Sequence, residues 1–150
     1  MTGGGHESEV VDGLEFVDTN VLLYAYDRSA GARHEHAARL VGALGADRRG
    51  AISIQVLQEF YVNATRKIAE PLDHGVAVDR LRALRCWPLH VPQGDDVIDA
   101  AELAHRGQVS FWDAMIIRSA AALGCPVLWS EDLSHGQRID GVTVRNPFLP

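Results

Sequence analysis

Residues 14–23 read Leu-Glu-Phe-Val-Asp-Thr-Asn-Val-Leu-Leu, and no other stretch restricts the fold as much. A short apolar strand closes at Val17. Asp18, Thr19 and Asn20 interrupt it, and the chain then turns apolar again as a helix. A strand, a polar break and a helix in direct succession begin an α/β unit. Ligands of open α/β sheets bind outside the carboxyl ends of the strands, which is where this spacing puts Asp18.

The alternation continues to the end of the chain. Strands are expected over 14–17, 51–53, 86–91, 126–129 and 142–144. Pro88 marks the third as an edge strand, because proline cannot donate to a ladder. Helices are expected over 20–26, 33–46, 53–69, 73–84, 95–106 and 110–123. Ser53 can cap the third helix. Leu57, Tyr61, Ala64 and Ile68 form its apolar stripe, and Gln55, Glu59, Asn63 and Arg66 a polar line. Val97, Ile98, Ala101 and Leu103 are available for burial in the fifth, Gly45 and Gly107 read as helix stops, and 130–141 reads as a polar loop. Alternating strands and helices predict a three-layer α/β/α fold around a central parallel sheet. The expected layout is one domain over 14–150 behind a flexible tail over 1–13. That tail has neither the basic nor the apolar region of a secretory signal.

Strand-to-helix order carries a geometric consequence. Asp18 directly follows the first strand. Glu59 stands six residues past Ser53, roughly 9 Å along a helix that leaves the same edge of the sheet. Asp113 lies in the first turn of a helix that returns into the strand at 126–129, so that turn lies above the strand's carboxyl end. Asp132 comes just past that end. If the first and fourth strands are neighbours, the four acids share one crevice.

Each acid also has an ordinary structural role open to it. Asp18 can cap a helix, and Glu59 can be a solvated helix-face residue. Asp113 can complete a capping box with Ser110, and Asp132 can stabilise a turn. Convergence is what these roles leave unexplained. Four gathered carboxylates repel one another unless some stay protonated, and a divalent cation with a taste for oxygen removes the repulsion. Mg2+ or Mn2+ suits such a site. It can ionise a water and hold a phosphate in line. It also lets a chain of net charge −6 and pI about 5.6 approach a polyanion. Thr19, Asn20 and Ser130 are short polar groups placed to orient ligands or waters, or to cap and turn the chain.

Other readings find less support. There is no GxGxxG, GxxxxGK[ST], GxSxG or HExxH. The Asp95-Asp96 pair of receiver-like domains has no downstream lysine, and Asn20 removes the second acid of an Asp-x-Asp phosphatase. Arg28, Arg33, Arg39, Arg48, Arg49, Arg66 and Lys67 either steer a nucleic acid or cover solvated helix faces. Trp112 either stacks a base or packs into the core with Phe111 and Trp129. Cys86 and Cys125 allow one disulfide, but they fit better as two free thiols of a cytoplasmic protein. No apolar run is long enough to cross a membrane.

Several stretches together resemble a known family. Val17-Asp18-Thr19-Asn20-Val21-Leu22 resembles the opening motif of PIN domains. Gln58-Glu59-Phe60, Phe111-Trp112-Asp113-Ala114-Met115-Ile116 and Ser130-Glu131-Asp132-Leu133 resemble the motifs that carry the family's other acids. The ending, Gly136 to Val142 with Asn146-Pro147-Phe148, resembles the tail of VapC toxins. The resemblance runs from about Leu14 to Phe148. It implies a PIN-like fold and an Mg2+-dependent endoribonuclease, with Mn2+ able to substitute. The catalytic and metal-holding acids would be Asp18, Glu59, Asp113 and Asp132. It also implies an RNA substrate, a cognate antitoxin and a homodimer. Glu131 is an additional acid or a bystander, and Asp27 and Asp96 are weaker candidates. The alternatives are a non-catalytic RNA- or partner-binding module of the same fold, and a metal-dependent DNA nuclease or phosphatase.

Overall fold

A computed structural model describes residues 13–107 and 109–150. All but the last residue of the expected tail lies outside them. Among the described residues the order is β1 (Glu15–Val17), α1 (Thr19–Tyr26), a 3-10 turn (Arg28–Ala30), α2 (Ala32–Ala46), β2 (Gly50–Ser53), α3 (Ile54–Arg66), α4 (His74–Leu84), β3 (Leu89–His90), α5 (Gly94–Gly107), α6 (Phe111–Ala122), β4 (Val127–Trp129), β5 (Arg138–Ile139) and β6 (Val142–Arg145).

The strands form one sheet in the order β3-β2-β1-β4-β6-β5. All neighbours are parallel except β5, which runs antiparallel to β6. Phe16 and Val17 are both fully buried. Adjacent strand residues point to opposite faces, so both faces of β1 are covered, as a parallel sheet requires. α1 packs against α2 and α3, and α3 against α4. α5 packs on α6, which itself lies against β2, β3, β4 and β6. The core joins Phe16, Ile52, Val56, Phe60, Ile117 and Leu128.

Two glycines are fixed by their surroundings. A β-carbon on Gly50 would collide with the Trp87 ring. Gly124, at φ +71, ends α6 in the left-handed region and lets the chain turn at once into β4. Gly45 does not stop α2. The helix runs through it to Ala46, and Arg48, at φ 58, makes the turn.

The helices differ from their expected phase in two places. In α3 the buried residues are Gln55, Val56, Phe60 and Ala64, and of the expected stripe only Ala64 is among them. This helix is flanked on two sides. Phe60 meets Tyr26 of α1 edge-on, with ring centroids 5.5 Å apart, while Leu57 and Tyr61 line a groove shared with Val78 and Leu81 of α4. α3 also ends at Arg66 instead of Ala69, with the Lys67 N–H donating to the Asn63 carbonyl. In α5 the buried residues are Ala100 and Leu103, which with half-buried Ala104 make a narrow face. Val97, Ile98 and Ala101 fall outside that face, and Ile98 is 61% exposed.

Short strands account for the other differences. β3 keeps only two residues of the expected 86–91 and does lie at the sheet edge. Pro88 still takes part, its carbonyl accepting from the Ile52 N–H at 3.0 Å. β5 interrupts the expected loop over 130–141, and two residues are too few to show a periodicity. Cys86 is exposed and Cys125 buried, both as free thiols.

A candidate acid pocket at the ends of β1 and β4

The β1–β4 ladder extends one residue past β1, and the β4–β6 ladder one residue past β4. The Asp18 N–H donates to the Trp129 carbonyl at 3.0 Å, and the Ser130 N–H to the Arg145 carbonyl at 2.9 Å. Asp18 and Ser130 therefore stand side by side where their strands end. The Ser130 hydroxyl donates to Asp18 Oδ2 at 2.8 Å, and the Thr19 N–H to Oδ1 at 2.7 Å. Asp18 does flank α1 as a cap, but it is only 6% exposed. Burial pushes its carboxyl up to about 7, against the lowering effect of the two donors, and nearby Asp132 and Asp113 add to the rise.

The side chains that follow Asp18 reach the other acids. The Thr19 hydroxyl donates to Glu59 Oε1 at 2.6 Å. Gln55, one turn before Glu59 on α3, donates to Glu59 Oε2 and to the Trp112 carbonyl, both at 3.3 Å. The Asn20 amide donates to Asp132 Oδ2 at 2.6 Å. Burial raises the Asp132 carboxyl, and repulsion from Asp113 and Glu131 raises it further. Asp113 forms the backbone half of the capping box, its N–H donating to Ser110 Oγ at 3.0 Å, while the residue itself lines the pocket.

Asp18, Glu59, Asp113 and Asp132 thus line one pocket with Thr19, Asn20, Gln55, Asn63, Trp112 and Ile116. Ser130 supports Asp18 from behind, fully buried. Sequence reasoning assigned no site role to Gln55 or Asn63. Their signal was the spacing of four that places Gln55, Glu59 and Asn63 on one line of α3. Trp112 is 62% exposed and so does not join the core. Phe111 meets it edge-on, with centroids 5.0 Å apart. Glu131, beside Asp132, belongs to Arg33 and Tyr24. Asp27 caps the 3-10 turn, and Asp96 accepts from the Gln93 N–H. Among the expected basic groups, Arg33 and Arg49 are held by Glu131 and Glu15.

The donor set is all oxygen and rich in carboxylate, which suits a hard divalent cation. Among the described residues no three His, Cys, Asp or Glu side chains form a ready cage for an ion. Mg2+ does not need one. It keeps several waters and takes one or two carboxylates directly. Burial is the main reason the Asp18 and Asp132 carboxyls are raised, and the neighbouring acids add to both rises. A cation among these oxygens would offset that repulsion, so the residues present fit such an ion.

Comparison with known proteins adds the lineage. No curated protein matches the chain. Several solved structures are similar, among them the following three. The sarcin–ricin-loop-cleaving toxin VapC20 of Mycobacterium tuberculosis matches with a TM-score of 0.59 and 24% identity, over 77% of this chain and 87% of its own. A toxin–antitoxin complex from Klebsiella pneumoniae matches with a TM-score of 0.65 and 21% identity, over 89% and 98%. DNA-bound VapBC from Salmonella typhimurium matches with a TM-score of 0.61 and 22% identity, over 89% and 98%. Likeness at these identities speaks for a shared fold. The family model of the PIN domain matches residues 16–138, most of the sequence. The chain belongs to the PIN domain family.

Proposed function

We propose that this protein is a metal-dependent endoribonuclease acting as the toxin of a toxin–antitoxin pair. The observation that carries the proposal is the gathering of Asp18, Glu59, Asp113 and Asp132, from four separate elements, around one pocket beyond the ends of β1 and β4. The toxin role draws on the fold shared with the sarcin–ricin-loop-cleaving toxin VapC20, with a chain of a toxin–antitoxin complex and with a chain of DNA-bound VapBC. By the same analogy the partners are an RNA substrate, a cognate antitoxin and a second copy of the chain.

Asp18, Asp113, Glu59 and Asp132 would hold Mg2+, or Mn2+ in its place. Such an ion supplies charge neutralisation and acidifies a water. The chain's own part is positional. Thr19 and Ser130 fix both oxygens of Asp18, leaving the carboxylate one orientation. The Thr19 hydroxyl and Gln55 orient Glu59, and Asn20 orients Asp132. Water adds to the phosphorus and the bond to the 3′ oxygen breaks, leaving a 5′-phosphate and a 3′-hydroxyl.

The test is incubation of purified protein with structured RNAs and Mg2+, beside Asp18→Asn and Asp113→Asn. Cleavage should vanish in both variants and on chelation. Cleavage that persists unchanged in either variant overturns the assignment. Parallel DNA and p-nitrophenyl phosphate substrates separate a ribonuclease from a DNA nuclease or a phosphatase.

A further inference from the structure

Asp132 is not held by its own loop alone. One face of α1 carries Asn20 and Tyr24, four residues apart and so stacked one turn above the other. Asn20 donates to Asp132 Oδ2 at 2.6 Å, and the Tyr24 hydroxyl to Glu131 Oε1 at 3.1 Å. From α2, Arg33 Nε and Nη2 reach Glu131 Oε2 at 2.7 and 2.6 Å. The guanidinium lies 5.9 Å from the Tyr24 ring centre and 5.5 Å from that of Phe148, and those two rings meet edge-on at 5.3 Å. Both oxygens of Glu131 are therefore occupied, one by Tyr24 of α1 and the other by Arg33 of α2, and Phe148 packs against both partners.

We propose that Tyr24, Arg33 and Glu131, backed by Phe148, form a clamp that positions Asp132 at the acid pocket, and that Glu131 is an anchor and not a ligand. The chemistry follows from charge and geometry. Two adjacent carboxylates in a short loop repel each other and the pocket acids. Arg33 cancels one of the two charges. The guanidinium, lying against two rings and bound through two nitrogens, fixes the direction of the Glu131 side chain. With Glu131 fixed on one side and Leu133 buried on the other, Asp132 has little freedom except toward Asn20. Groups that orient a metal ligand typically alter metal affinity by 10- to 100-fold when removed. The inference concerns Asp132 as a ligand, so that part rests on the proposed function. The clamp itself does not.

Amide hydrogen exchange on the metal-free protein tests the clamp without metal or RNA. Tyr24→Phe removes one donor and no charge. Arg33→Ala removes the cation, and Arg33→Lys restores charge without the two-nitrogen grip. Amides over 131–136 should exchange at least fivefold faster in Tyr24→Phe and Arg33→Ala, and at an intermediate rate in Arg33→Lys. Those of α6 should be unchanged in all three. Calorimetric titration with Mn2+ then tests the consequence. Tyr24→Phe should weaken binding roughly tenfold, and the Mg2+ needed for half-maximal cleavage should rise while the KM for RNA holds. Loop exchange equal to wild type in all variants overturns the clamp. So does a Glu131→Gln variant that loses Mn2+ as fully as Asp132→Asn while Tyr24→Phe binds normally, since that makes Glu131 a ligand. A wild-type protein that cleaves no RNA, yet shows the expected loop exchange, sinks the ribonuclease reading and leaves the clamp standing.

Discussion

Two groups of acids, each built around three aspartates, occupy different parts of this molecule. At the pocket stand Asp18, Asp113 and Asp132, with Glu59 alongside. From α6, Arg118 draws together Asp96, Asp99 and Asp140, at 3.9, 3.8 and 3.5 Å. His90 adds a second basic group, 3.4 Å from Asp96. The pocket acids are met by neutral donors instead: Thr19, Asn20, Gln55, Ser130. The carboxylates are alike in kind, but one group is compensated by the fold and the other is left for something to complete. Acids gathered in a cleft without a cationic partner make a candidate functional site, while a cluster paired with arginine reads as structure. Even the chain Asp96–His90–Ser119, ordered like a nucleophilic triad with Ser119 Oγ 2.8 Å from His90 Nδ1, belongs to structure. Ser119 is fully buried, and no substrate can reach it.

The sharpest way to break this contrast is to neutralise one acid in each group. Asp18→Asn keeps the pocket's shape. The amide oxygen can still accept from the Thr19 N–H, and the Ser130 hydroxyl can turn to accept from the amide nitrogen. Cleavage should fall about a thousandfold or more, ~4 kcal/mol of barrier at 1.36 kcal/mol per tenfold. The metal-free fold should become more stable at pH 8. Asp18 titrates near 7 when folded, against an ordinary carboxyl value of 3.8, so the native state holds the extra proton. Its contribution is fully present below the unfolded pKa and is lost as pH rises through about 7. Urea midpoints of metal-free wild type should therefore drop between pH 4 and 8, and this component of the slope should disappear in Asp18→Asn. Asp96→Asn should do the reverse, lowering stability and leaving cleavage per folded molecule intact. A wild-type midpoint that climbs across this range would contradict the buried-acid account.

A smaller effect is expected from the compensated side. Arg118→Met leaves Asp96, Asp99 and Asp140 without their shared cation. The ion pairs are long and Asp99 is largely exposed, so the cost is about 1–2 kcal/mol. For a chain of this size the thermal midpoint should fall by roughly 3–8 °C. Cleavage measured below that midpoint should match wild type. A loss of activity without a loss of stability would mean that the two acid groups communicate.

This contrast was only half visible in the sequence. Asp18, Glu59, Asp113 and Asp132 could be brought together because strand–helix order fixes which end of the sheet each one reaches, and β1 and β4 do pair. The Arg118 group depends on α5, α6 and the turn at Asp140 meeting side by side, which no local pattern encodes. Helix phase failed for a related reason. In α3 the apolar residues occupy two flanks, so both Leu57 with Tyr61 and Val56 with Phe60 make acceptable stripes until α1 and α4 are in place. Trp112 invited a core assignment by its hydrophobicity, yet its position on the first turn of α6 leaves it on the pocket rim.

Ser130→Ala should have the smallest effect and the most specific signature. The hydroxyl is one of two donors that hold down the Asp18 pKa against burial. Without it the charged form loses a hydrogen bond and the carboxyl rises further. Any cation must then compete harder with the proton. At pH 7 the Mg2+ needed for half-maximal cleavage should rise by roughly tenfold, the worth of about one hydrogen bond to a charged group. At pH 9 the carboxyl is ionised in either protein, so most of the difference should vanish. The same hydroxyl accepts weakly from the Leu133 N–H at 3.4 Å, so a small part of the loss should persist at every pH. A deficit of equal size at pH 7 and pH 9 would assign Ser130 to loop packing alone and remove it from the control of Asp18.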